Sequence, residues 1–385
     1  MGKIDFIENE LTKREANHLL RRLKRVTPLS GVEIEVDGRR MLNFCSNDYL
    51  GLYNHPFLKE RSKAFIDKYG AGSTASRLVC GNYDCFEKVE NRLSELTGQK
   101  GALVFNSGYQ ANVTLLPALT DRDSLILSDA LNHNSIIQGS LLSRCAVKTY
   151  EHNNIDHLEN ILKQYRDKYS RVLIVTESIF SMDGDQSDID SLISIAEQYD
   201  SILVLDEAHA TGVTGKNGMG LGSGKNVDVV MGTFSKAAGS FGAYVASDMI
   251  LKDYLINFCH GLIYSTALPP SVLGTIDGAL ELIPKMEKER ERLMNNSQNF
   301  RDKLTDLGFN TGKSTTQIIP VIIGSEKDAL KLSKWLEDNN VYAMTIRPPT
   351  VPEGESRIRL ALTSSHTQEQ MDTLIELLKK WRKNN

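Results

Sequence analysis

The apolar positions of this chain change rhythm twice. Over residues 1–30, Leu11, Leu19, Leu20 and Leu23 form a stripe on a charged background and Pro28 closes it, which predicts an amphipathic helix. Gly31 to Phe44 then alternates around Asp37-Gly38, the pattern of a small hairpin. From about residue 46, short apolar runs alternate with amphipathic stretches of helical length. The runs are Ala102–Phe105, Ser124–Leu127, Val172–Val175, Ile202–Leu205, Val229–Met231 and Ala243–Ala246. Runs without a polar face predict strands buried on both sides, hence a mainly parallel sheet between helix layers. Near residue 285 the rhythm changes again. A charged helix (Lys285–Leu304) leads to a strand (Ile318–Ile323), a helix (Ser325–Asn339), a proline-rich crossing (Arg347–Pro352), a strand (Arg357–Leu362) and a last helix from Thr367. The expectation is an α/β protein in three parts: an N-terminal helix and hairpin segment over 1–45, a large domain over 46–285, and a smaller C-terminal α/β domain over 286–385.

Composition narrows the function. The 385 residues are 41% hydrophobic and 24% charged, an ordinary globular balance. With 45 basic against 49 acidic residues, the net charge of −4 speaks against a nucleic-acid binder held by bulk charge. No apolar run reaches the ~18 residues of a membrane helix. The five cysteines form no C-x-x-C pair and no cationic leader opens the chain, so a cytoplasmic protein is expected. Of eight histidines only His152 and His157 lie close together, and H-E-x-x-H does not occur. Surface or supporting histidines are expected there, and no metal site.

Several strand ends carry polar clusters, where ligands of open α/β sheets collect. Asp206-Glu207-Ala208-His209 could be the metal-binding strand end of a DEAH-type ATPase, which requires a phosphate loop. Lys216 and Lys225 each follow a glycine, but neither is followed by Ser or Thr. The six glycines of Gly212–Gly224 lie far from the first strand, where a dinucleotide fingerprint belongs, and read as a flexible loop beside a site. Gly239-Ser240 lacks the flanks of a serine-hydrolase elbow. One constellation remains. Lys236 follows a buried strand, where partial desolvation suits Schiff-base chemistry. Asp206 ends another strand, where a buried acid calls for a cation such as a pyridinium nitrogen. Ser107-Gly108-Tyr109 opens a helix, a ready phosphate site. Together they fit pyridoxal phosphate (PLP).

With these residues in view, the chain resembles the α-oxoamine synthases over nearly its whole length. The resemblance rests on Ser46-Asn47-Asp48-Tyr49-Leu50-Gly51-Leu52, Asn106-Ser107-Gly108-Tyr109, Asn132-His133, Phe180-Ser181-Met182-Asp183-Gly184-Asp185, Asp206-Glu207-Ala208-His209, Thr233-Phe234-Ser235-Lys236, Tyr264-Ser265-Thr266-Ala267-Leu268-Pro269-Pro270 and Arg357-Ile358-Arg359-Leu360. It implies a fold-type I PLP-dependent transferase that condenses an amino acid with an acyl thioester, carried by coenzyme A or a carrier protein. Within the family, the Leu20-Arg21-Arg22 stretch, Ile263-Tyr264-Ser265-Thr266 and Arg347–Pro352 point to the biotin-pathway branch, which joins L-alanine to a pimeloyl thioester with loss of CO2. The branch that joins glycine to an acetyl thioester is the alternative. The resemblance further implies that Lys236 holds the cofactor and takes the Cα proton, Asp206 keeps the ring nitrogen protonated, and His133 stacks on the ring. His209 and Ser181 bond the ring oxygen. Ser107, Gly108, Tyr109 and Thr233 hold the phosphate, joined by Ser265 and Thr266 of a second subunit, which implies a homodimer with shared sites. Arg359 is expected to pair with the amino-acid carboxylate, with Asn47, Arg21 and Thr350 also near substrate. Arg357, two positions from Arg359 on the same face, is expected to be a surface salt-bridge residue.

Overall fold

A computed structural model describes residues 2–384. The chain divides into two compact units, each with its own core. One takes the chain up to Ser46, Met182–Gly184 and everything from Leu293 on; the other takes Asn47–Ser181 and Asp185–Arg292.

In the first unit the opening helix runs only over Asp5–Ala16 and buries none of its residues. His18 then takes a positive φ of 58° and residues 19–25 carry no regular secondary structure, so the helix expected to reach Pro28 stops a dozen residues early. Its leucines explain the difference: Leu11 and Leu23 stay exposed, and a stripe with nothing to bury against cannot hold a long helix in water. Val26–Pro28 (β1), Glu33–Val36 (β2) and Arg39–Asn43 (β3) pair antiparallel. The β2–β3 turn is Asp37-Gly38, both at positive φ as a tight hairpin turn requires.

The second unit is built on a seven-stranded sheet. Its strands are Gly101–Phe105 (β4), Ser124–Asp129 (β5), Ala146–Tyr150 (β6), Arg171–Glu177 (β7), Ile202–Asp206 (β8), Val229–Thr233 (β9) and Ala243–Ser247 (β10). Their order is β4-β10-β9-β8-β7-β5-β6, with only β10 antiparallel to its neighbours. Six of these strands are the continuous apolar runs of the sequence. The seventh, β6, is an edge strand with alternating exposure, so it lacks a continuous run. Leu103, Phe105, Ile126, Leu173, Val175, Val204, Met231 and Val245 pack with Leu115 and Leu116 of the helix Gly108–Leu119 into one core. In register Glu177 lies beside Asp206 and Asp206 beside Met231, so the carboxyl ends of β7, β8 and β9 finish side by side.

The rest of the first unit follows. Ile318–Gly324 (β11) and Ser356–Ala361 (β14) pair antiparallel, Thr345–Ile346 (β13) flanks β14, and Val341–Tyr342 (β12) adds to β3 in parallel. The hairpin of residues 33–43 and the C-terminal chain therefore share a sheet. Arg357 is not on the surface: it is 1% exposed and bridges Asp183 at 2.6 Å and Glu355 at 2.8 Å, burial being possible because both partners neutralise it. No helix among the described residues is long and apolar enough to cross a membrane.

Candidate active site

The helix Gly108–Leu119 begins where β4 ends. Ser107 caps it, its Oγ accepting from the Gln110 N–H at 3.1 Å. A Cβ on Gly108 would stand 2.6 Å from Thr233 Cγ2, so only glycine lets the end of β9 come this close to the helix start. Ser107, Gly108, Tyr109 and Thr233 thus gather where the helix's first N–H groups lack intrahelical partners. Within one chain, Ser265 and Thr266 are tied to side chains that flank this helix start. Gln110 Nε2 donates to Ser265 Oγ at 2.5 Å, and Asn106 Nδ2 donates to the Thr266 carbonyl at 2.9 Å.

Asp206, 5% exposed at the end of β8, is held by two donors: the Ala208 N–H and Asn112 Nδ2, each at 2.8 Å. Asn112 also donates to Ser135 Oγ at 3.0 Å, and Ser135 Oγ lies 2.7 Å from His133 Nδ1. One chain of hydrogen bonds therefore joins the strand-end acid to the histidine. It depends on a helix crossing in which a Cβ on Gly139 would sit 2.4 Å from the Asn112 carbonyl oxygen. His133 is itself the cap of the helix Asn134–Leu142, accepting from the Ser135 N–H at 3.2 Å. Desolvation lowers its pKa, while the charges of Asp206 and Lys236 act on it in opposite senses. A neutral ring accepting at Nδ1 presents its proton at Nε2.

Lys236 stands three residues beyond β9, half-buried, close enough to act electrostatically on both His133 and Glu177. His209 is buried with Nδ1 2.7 Å from the Tyr49 hydroxyl, which in turn donates to Asn47 Oδ1 at 3.1 Å. Ser181 is buried beyond the end of β7.

The spacing of the chain missed two carboxyls here. Glu177 is 2% exposed beside Asp206, and its Oε1 has no hydrogen-bond partner. Burial and the Asp206 charge push its pKa well up, against the opposing pull of Lys236, so its carboxyl is held neutral. Glu207 accepts from Ser178 Oγ and from the Gly222 N–H, and burial raises its pKa to about 7. A Cβ on Gly220, at φ 101°, would come within 2.5 Å of that carboxyl, so the glycines here pack the loop onto Glu207. The second acid of Asp-Glu-Ala-His is thus a loop anchor. Gly312-Lys313-Ser314 precedes β11 with no helix after it, so it too lacks a phosphate loop's setting.

In the other unit Arg359 is buried on β14, opposite Pro320 of β11. Arg21 Nη2 donates to Thr350 Oγ1 at 3.2 Å, bringing those two expected residues together. Both line a cavity of about 580 Å³ with Leu19, Leu20, Leu23 and Arg347. Burial and the nearby Arg21 charge lower the Arg347 pKa.

The donor set in the sheet unit fits PLP: a helix start opened by glycine for a phosphate, a buried carboxylate for a pyridinium nitrogen, and a lysine for an aldehyde carbon. Fold and site together define a fold-type I PLP-dependent transferase, and the chain belongs to the aminotransferase class I and II family, which it matches over residues 39–378. At the level of single proteins, it is 56% identical over 384 residues to "Putative 8-amino-7-oxononanoate synthase" of Desulfosudis oleivorans, covering 100% of both chains. It is 47% identical to the protein of that name from Paramagnetospirillum magneticum, over 92% of this chain and 91% of that one. Among solved structures, Sphingomonas wittichii serine palmitoyltransferase matches with a TM-score of 0.93 at 27% identity, over 100% and 99% of the two chains. The 8-amino-7-oxononanoate synthase of Francisella tularensis matches with a TM-score of 0.76 at 28% identity, over 89% and 98%.

Proposed function

We propose that this chain condenses L-alanine with a pimeloyl thioester to give 8-amino-7-oxononanoate, CO2 and the free thiol, a step of biotin biosynthesis. The observation that carries the reading is full-length similarity at 56% identity to a protein of that designation, in a chain whose Asp206 and His133 share one hydrogen-bond network within electrostatic reach of Lys236.

PLP, when bound, supplies an electron sink for the carbon that loses its proton. The chain's residues do the rest. The helix start at Ser107–Tyr109, with Thr233, binds the phosphate; Asp206, fixed by Asn112 and Ala208, holds the ring-nitrogen proton. His133 closes one face of the ring, and His209 and Ser181 bond its oxygen. Lys236 anchors the cofactor and, once released, takes the proton from the alanine Cα. Arg359 pairs with the alanine carboxylate through two of its guanidinium nitrogens. Asn47, bonded to Tyr49 beside His209, faces the substrate. Arg21, Thr350 and the leucine-lined cavity receive the acyl end, where an apolar wall with arginines suits a chain that ends in a carboxylate.

The protein acts as a homodimer in which Ser265 and Thr266 complete the other subunit's phosphate site. Tyr109, Phe241 and Tyr264, all exposed large side chains of the sheet unit, supply apolar surface for the second copy. A cytoplasmic setting is supported by five cysteines with no disulfide among them.

The test is a substrate matrix scored by thiol release: alanine, glycine and serine against pimeloyl-, acetyl- and palmitoyl-CoA, with a pimeloyl carrier protein alongside. Alanine with a pimeloyl donor should dominate. Preference for glycine with acetyl-CoA would move the chain to the other branch, and serine with palmitoyl-CoA would follow the palmitoyltransferase structures instead.

A further inference from the structure

His152 stands apart from the residues assigned above, yet it is built into the structure with unusual care. It follows β6, and its two ring nitrogens face two different carboxylates. Nδ1 lies 2.9 Å from Asp129 Oδ1 and Nε2 lies 2.8 Å from Asp185 Oδ2. Asp129 and Asp185 are both buried. A neutral imidazole has one N–H and would turn a lone pair toward one of the two acids; an imidazolium donates to both. Asn153 reinforces the bridge, its N–H donating to Asp129 Oδ2 at 2.9 Å and its Nδ2 to Asp185 Oδ2 at 3.0 Å. Phe180 sets its ring against the imidazole at 89°.

The two acids lie at the roots of two site loops. Asp129 ends β5 and accepts from the Leu131 N–H at 2.8 Å, two residues before His133. Asp185 holds the far side of the turn that contains Ser181, its carbonyl accepting from the Phe180 N–H at 3.1 Å. We propose that His152 is a positioning residue which, as an imidazolium bridging Asp129 and Asp185, locks the His133 loop to the Ser181 loop. The inference deepens the reading above and rests on it only in that His133 and Ser181 face the cofactor.

The charged groups facing the ring among the described residues are Asp129 and Asp185; the Asp129 charge also acts on Glu177 and the Tyr150 phenol, and both of those have a pKa raised chiefly by burial. Burial alone would lower the His152 pKa, but the two hydrogen-bonded carboxylates outweigh it and raise it to about 9. The sign follows. A cation whose folded pKa is raised contributes fully below its ordinary value of about 6.5, and the contribution fades as pH rises through the folded pKa.

Two measurements on the PLP-loaded protein test this without any substrate. NMR of ring-labelled histidine, with the His152 signal assigned from a His152→Gln sample, should show an imidazolium that persists to about pH 9. A ring that titrates near the ordinary value overturns the proposal. Visible circular dichroism of bound PLP should lose intensity over the same pH range. In Asp185→Asn, which turns the bridge neutral, that loss should move down by at least a pH unit. A dichroism curve that does not move in Asp185→Asn overturns the positioning role, even if His152→Gln itself fails to fold. Because both readouts need only the cofactor, a wrong amino acid or thioester in the substrate matrix leaves this test standing.

Discussion

Two buried acid clusters in the sheet unit share little but their burial. Asp277, fully buried in the helix Pro270–Leu282, meets three cations: Arg61, Lys88 and Arg92. At the carboxyl ends of β7 and β8, three buried acids, Glu177, Asp206 and Glu207, gather with Lys236 as their nearby cation. The first cluster is electrostatically complete. The second has two carboxyls whose pKa burial raises and holds the third on neutral donors, an arrangement suited to a cationic group arriving from outside. Burial of charge thus means structure at one place and chemistry at the other. What separates them is the number of cations within reach.

The sharpest way to break that contrast is to remove one member at each place. Lys236→Ala should fold with an unchanged melting temperature in the absence of cofactor and lose turnover by at least about a thousandfold, because anchor and base go together. Asp206→Asn should likewise keep the fold and lose most turnover, read as thiol release per folded molecule. Asp277→Asn should do the opposite. It takes a shared carboxylate from three cations, of which Arg61 keeps Glu281, and costs about 3 kcal/mol of stability by urea titration, discounted because those cations are partly solvated, while activity per folded molecule persists. If Asp206→Asn behaves like Asp277→Asn, the contrast fails.

Arg359→Lys keeps a charge but loses the forked geometry. Apparent affinity for L-alanine, from titration of the cofactor's absorbance, should fall about ten- to a hundredfold while PLP affinity stays the same. Unchanged alanine binding would move the carboxylate contact to another cation.

Glu177→Gln should have the smallest effect. The native protein holds a proton on Glu177 that the unfolded chain releases above its ordinary pKa, so this group makes stability fall as pH rises above that range. The amide has no proton to lose. Cofactor-free Glu177→Gln should therefore show a flatter stability–pH curve than the parent, with turnover within about threefold. A large loss of turnover would mean that Glu177 is ionised and works as an anion.

The same contrast explains how much was legible in the chain. Strands buried on both faces write continuous apolar runs, so six of the seven large-sheet strands were visible and β6, exposed along one edge, was not. Asp206, Lys236 and Ser107-Gly108 showed because each sits at the end of such a run. Asn112, Glu177 and His152 did not, since their partners are distant in sequence and come together only through the sheet order and the close helix crossing at Gly139. Arg357 looked like a surface residue for the same reason, as Asp183 lies 174 positions away. The opening helix was overread because a leucine stripe shows what could be buried and not what is there to bury it.

The most direct measurement of the central claim is covalent capture. Purified protein loaded with PLP and reduced with borohydride should carry one pyridoxyl group per chain, located by peptide mass spectrometry on Lys236. A chain that takes up no PLP, or carries the group on another lysine, would contradict the assignment of the strand-end acids and Lys236 as the cofactor site.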